Sequence, residues 1–120
     1  LHNWVKNGEA DAALRAFHKA LKVGGILGIE GHRGPNDQPQ DPTVKSGYLR
    51  EDFAIALVEK AGFKLVEKSE VNANPKDTKD YAEGVWTLPP TYRLKDQDRA
   101  KYAAIGESDR FTLKFVKVAP

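Results

Sequence analysis

Leu21-Lys22-Val23-Gly24-Gly25-Ile26-Leu27-Gly28-Ile29-Glu30-Gly31-His32-Arg33 is the stretch on which the fold turns. It reads as the end of an amphipathic helix, a Gly24-Gly25 stop, a short apolar strand, and a polar loop carrying His32 and Arg33. Glycine takes the left-handed backbone that closes a helix without a steric penalty. Ile26 to Ile29 is nearly continuous in apolar residues, the pattern of a strand covered on both faces. In open α/β sheets, ligands sit beyond the carboxyl ends of the strands. His32 and Arg33 stand at that end and are the first candidates for chemistry.

Upstream, Ala10, Ala13, Leu14, Phe17 and Leu21 recur at steps of three and four. This spacing predicts a helix over Glu9 to Lys22 with one apolar stripe. Asn7-Gly8 marks the turn before it, with Asn7 as the cap. His18 lies beside the stripe and reads as a half-exposed helix histidine. Leu1 to Val5 has no strand length of its own. Downstream, Gly31 to Gly47 is a long loop with Pro35, Pro39 and Pro42. Loops of this length in small domains tend to be functional or mobile. A second helix is predicted over Arg50 to Ala61, with Phe53, Leu57 and Val58 in its stripe and Gly62 as its stop. Phe63 to Val71 reads as a second strand. Asp80 to Tyr92 gathers Tyr81, Trp86, Pro89, Pro90 and Tyr92, an ordered loop pinned by aromatics in which proline bars regular structure. A short helix over Asp96 to Ala104, capped by Asp96, leads to a last strand over Phe111 to Val118. There Phe111, Leu113 and Phe115 share one face. A strand-helix-strand unit of this length implies parallel strands joined by a right-handed crossover, and the last strand can add antiparallel.

The chain has 120 residues, enough for one small domain. Forty per cent are hydrophobic and 30% charged, a soluble globular composition. The net charge is +2 and the basic residues are dispersed. No Lys/Arg block or aromatic-basic repeat tracks a phosphate backbone, which disfavours a nucleic-acid partner. No apolar run approaches the ~20 residues of a membrane span. There are no cysteines, which excludes disulfides and cysteine-based zinc sites and fits a cytoplasmic location. No metal site is expected.

An ordered set of motifs resembles the C-terminal half of a class I S-adenosylmethionine-dependent methyltransferase, within a bacterial group of predicted small methyltransferases. The residues that carry the likeness are Leu1-His2-Asn3-Trp4, Ala20 to Ile29, Gly31-His32-Arg33, Gly47 to Glu51, Ala61 to Val66, and Ser108 to Phe115. The likeness spans essentially the whole chain. It departs at Val23, where proline is usual, and at Gly31, where an acidic residue is common.

The resemblance implies an α/β fold, part of a Rossmann-like methyltransferase sheet of three strands with flanking helices. Ile26 to Glu30 is its fifth strand, Phe63 to Val71 its sixth, and Phe111 to Val118 its antiparallel seventh, inserted between the two. It implies methyl transfer from S-adenosylmethionine to a small-molecule acceptor. His2, Asn3 and Trp4 are then expected at the cofactor, His32 or His2 as the base, and Arg33 at the substrate. Trp86 and Tyr92 either wall the substrate site or cover the sheet as hydrophobic pins. The glycine-rich loop that follows the family's first strand is not among these residues, because Gly24-Gly25 follows a helix. The 120 residues are therefore expected to lack the cofactor-binding half and to be silent alone. A homodimer is expected, with the Ile26 to Glu30 edge or the first helix at the interface. The competing reading is a non-enzymatic binding or oligomerisation module that uses the Pro-rich and aromatic loops.

Overall fold

A computed structural model describes residues 1–119 as a small α/β domain: an open three-stranded sheet with flanking helices. The strands are β1 (Ile26–His32), β2 (Phe63–Ser69) and β3 (Arg110–Lys117), in the order β1-β3-β2. β3 is antiparallel to both neighbours, with Ile29 opposite Leu113 on one side and Leu65 opposite Phe115 on the other. β1 and β2 run in the same direction but do not touch, because β3 lies between them.

β3 is central because its alternation is the cleanest in the chain. Phe111, Leu113 and Phe115 are all buried on one face, while Lys114 is exposed on the other. Onto the apolar face pack Leu14 of α2 (Ala10–Ala20) and Ala54 and Val58 of α3 (Glu51–Lys60), together with Val44 and Leu49 from the long loop. Burying one such side chain contributes about 1.5–3 kcal/mol.

The expectation that β1 is covered on both faces is corrected. Ile29 is buried and Leu27 partly so, whereas Ile26 is 51% exposed and Gly28 and Glu30 are exposed. Ile26 is apolar yet faces outward, so it hides the alternation that marks a one-sided strand. Its edge is also open. Lys117 N–H bonds to Gly25 C=O and Arg33 N–H to Asp109 C=O. Antiparallel alternation then turns the N–H and C=O groups of Ile26, Gly28 and Glu30 away from β3.

Several boundaries differ from the sequence reading. Leu1 to Val5 forms no strand, and His2–Lys6, for which no element was expected, is a short helix, α1, with the Trp4 ring 5.5 Å from Phe17. α2 starts at Ala10 with Glu9 at the cap position and no side-chain cap bond, so Asn7 does not cap it. α4 spans Arg99–Ile105 with Asp98, not Asp96, before it. β2 ends at Ser69, with a register shift between Leu65 and Glu67.

The expected Gly24-Gly25 stop is corrected: α2 ends at Ala20 with Leu21 already extended, and the two glycines form a separate turn into β1, with Gly25 N–H on Lys22 C=O at 2.8 Å. Lys117 Nζ donates to the carbonyls of His18 (2.5 Å) and Leu21 (2.6 Å), placing a cation on the negative end of α2. Gly24 takes φ +86° and its N–H bonds to Lys117 C=O, 2.9 Å away. His18 is partly buried, its ring edge-on to Phe63 at 5.3 Å and against Gly62. Among the described residues no helix is long and apolar enough to cross a membrane.

Candidate functional site

Beyond the carboxyl end of β1 lies a recess of about 260 Å³ lined by Leu1, His2, Glu30, Gly31, His32 and Arg110. α1 delivers His2 to it and β1 delivers His32, so residues 30 positions apart meet with ring centroids 5.2 Å apart. The His2 ring also stands edge-on to Trp86 at 6.0 Å. Three candidates from three parts of the sequence are thereby brought together. Gly31 is required in this corner, since a Cβ there would lie 2.6 Å from the Phe111 ring.

His32 Nδ1 lies 2.5 Å from the hydroxyl of buried Ser108, and Arg110 Nε–H reaches the same oxygen at 3.4 Å. Arg110 is itself held by Glu30 (3.3 Å) and Glu107 (2.8 Å). Burial, followed by the positive charges of His2 and Arg110, pushes the His32 pKa down to about 4. The imidazole is therefore neutral at pH 7. Use of Nε2 as a proton acceptor requires Nδ1–H to donate to Ser108 Oγ; if Ser108 donates instead, Nε2 carries the hydrogen. Burial and the nearby positive charges also lower the His2 pKa. Neither Ser108 nor Arg110 carried a functional signal of its own in the sequence. The chain separation of 76 residues from His32 to Ser108 explains why.

Arg33 follows His32 but is engaged elsewhere. Its Nη2 reaches Glu70 Oε2 at 2.6 Å, its Nε stands 3.2 Å from Asp109 Oδ2, and Glu51 lies 3.8 Å away. The Glu70 hydrogen bond, working against burial, raises its pKa, with the Asp109 and Glu51 charges adding to it. Lys79 also contacts Asp109, at 2.9 Å. Burial works against ionisation of Asp109, yet the Asn74 N–H, Lys79 and Arg33 together hold it below its ordinary value. Next to it, buried Tyr48 donates to Asp77, which accepts the Asp109 N–H at 2.9 Å. Burial and the Asp77 charge raise the Tyr48 phenol strongly. This network ties the loop after β1 to the turn before β3.

A larger cleft, about 560 Å³, opens between the two long loops. Asp41, Lys45 and Ser46 of the Pro-rich loop line it together with Tyr81 and Trp86 of the aromatic loop, Arg93 just after that loop, and Lys6 of α1. Two glycines seal the loops together. Gly84, at φ +58°, would set a Cβ 2.2 Å from Ser46 C=O, and Gly47, at φ +81°, would set one 2.7 Å from Val85. Trp86 belongs both to this cleft and to the His2 contact, so the two spaces adjoin. Tyr92 does not line this cleft; its ring stacks under Arg99, the guanidinium carbon 3.9 Å from the ring centroid.

S-adenosylmethionine is the methyl donor that the resemblance implies. Of His2, Asn3 and Trp4, only His2 lines the recess, because Trp4 packs on Phe17 and Asn3 is exposed. Among the described residues no strand runs into a glycine-rich turn: β1 is followed by Arg33-Gly34-Pro35, β2 by Glu70-Val71-Asn72 and β3 by Val118-Ala119. These residues alone do not fit S-adenosylmethionine. No protein-family model, curated protein or solved structure matches this chain.

Proposed function

We propose that these residues are the acceptor-side half of an enzyme that moves a methyl group from S-adenosylmethionine to a small molecule. The observation that carries the reading is the strand order β1-β3-β2, with antiparallel β3 inserted between two strands of like direction. The meeting of His2 and His32 beyond the carboxyl end of β1 adds to it. In this reading His32 orients the acceptor's departing proton through Nε2. With a pKa of about 4 it is a weak base, so its contribution is alignment more than proton affinity. Ser108 and Arg110 hold its ring. Isothermal titration of S-adenosylmethionine into the 120-residue chain is expected to give no saturable heat. One-to-one binding at micromolar affinity contradicts the assignment of these residues to the acceptor side.

A second reading is a binding module without catalysis. Its support is that the larger cleft lies between the two loops and not at His32.

A further inference from the structure

The cleft between the loops has a charge pattern that selects its occupant. Five charged side chains line it. Arg93 is paired with Glu83 at 3.7 Å and lies over the Trp86 ring, 5.0 Å from its centroid. The Asp41 carboxylate is turned onto its own loop, accepting the N–H and hydroxyl of Thr43 and the N–H of Lys45. Lys6 and Lys45 remain. Among the described residues neither makes an ion pair. Two ammonium groups outside any ion pair, Lys45 within reach of the Asp41 charge, thus border a cleft with an indole in its wall. A cleft of this volume has room for a small molecule, and its lining is polar apart from the aromatic wall of Tyr81 and Trp86. The two loops approach closely at Gly47 and Gly84 and are joined by Val85 N–H on Ser46 C=O at 3.0 Å.

We propose that this cleft binds a small aromatic carboxylate, with its carboxylate between Lys6 and Lys45 and its ring against Trp86. The assignment of this ligand as the methyl acceptor rests on the function proposed above; the binding itself does not. A carboxylate between two ammonium groups gains charge-assisted hydrogen bonds that a neutral amide of the same shape lacks. A bare phosphate gains the charge but forfeits the aromatic contact.

The test is a titration followed by the two tryptophan indole N–H signals in ¹H–¹⁵N NMR, assigned with Trp4→Phe. The probes are benzoate, benzamide and inorganic phosphate. Benzoate is expected to shift the Trp86 signal saturably and leave Trp4 in place. Benzamide and phosphate are expected to bind at least about tenfold more weakly. Lys6→Gln with Lys45→Gln is expected to weaken benzoate by about tenfold or more, with an unchanged unfolding midpoint. No saturable shift at Trp86, equal binding of benzamide or phosphate, or full binding by the double variant overturns the proposal. No methyl donor enters the experiment, so its failure is distinct from failure of the methyl-transfer reading.

Discussion

Moving the His32 imidazole out of water disfavours its charged form, and the outcome is a folded pKa of about 4 against an ordinary 6.5. The unfolded chain therefore binds more protons between those values. The stability tied to this group is complete above pH 6.5, falls as pH drops toward 4, and levels off below. The loss is about 2 kcal/mol once the partly open recess is allowed for. Asp109, held below its ordinary 3.8, contributes stability that is lost only further into acid, so the two windows separate. Urea unfolding at pH 7 and pH 5 checks this. Wild type is expected to lose more stability than His32→Gln, and equal losses contradict the assignment. Among single residues, His2, His32 and Trp86 were legible as candidates, because histidines at a strand end and a tryptophan in an irregular loop stand out in any sequence. Ser108 and Arg110 were not, because a serine becomes a histidine's partner only when the fold brings them together. The partners of Arg33 come from α3, the segment after β2 and the turn before β3, and no spacing along the chain shows that.

At the scale of elements, three- and four-residue spacing located α2 and α3 to within one or two residues, because each buries one continuous stripe. Alternation located β3 for the same reason. α1 escaped notice because five residues are too few to display a period. It exists through the packing of Trp4 on Phe17. The two loops were legible as proline-rich and aromatic, but not as partners. Their contact depends on Gly84, whose left-handed backbone and missing Cβ admit Ser46 C=O. Gly84→Ala is expected to cost about 1–3 kcal/mol and to open residues 80–93 to limited proteolysis. Gly8→Ala is the control, with φ +72° but nothing within 4 Å of the added carbon. It is expected to cost less and leave the digestion pattern unchanged. Identical losses in both variants contradict the loop seal.

At the scale of the molecule, the chain is elongated at 50 × 27 × 26 Å, with a radius of gyration of 15.5 Å. A compact domain of this length has about 13.5 Å. The helices cover one face of the sheet only, leaving Ile26, Val66 and Val118 exposed; the β1 edge is open from Ile26 to Glu30, while Leu49 N–H bonds to His32 C=O at its end. We propose that the isolated chain pairs with itself along that edge. The outward backbone groups of Ile26, Gly28 and Glu30 are symmetric about Gly28, as a two-fold antiparallel pairing needs. Light scattering is expected to give twice the mass of one chain, and Ile26→Lys to return it to a single chain. A wild-type monomer at high concentration contradicts the pairing. The strand order β1-β3-β2 was not readable from periodicity, which is blind to neighbours; it followed from the resemblance alone. That resemblance is therefore the point to test. The most direct measurement is the DNA sequence immediately upstream of the codon for Leu1. The acceptor-side reading predicts, in frame, a strand followed by a glycine-rich loop and then an acidic residue at the end of the next strand. A stop codon followed by a start site at that position contradicts it and leaves the binding-module reading in its place.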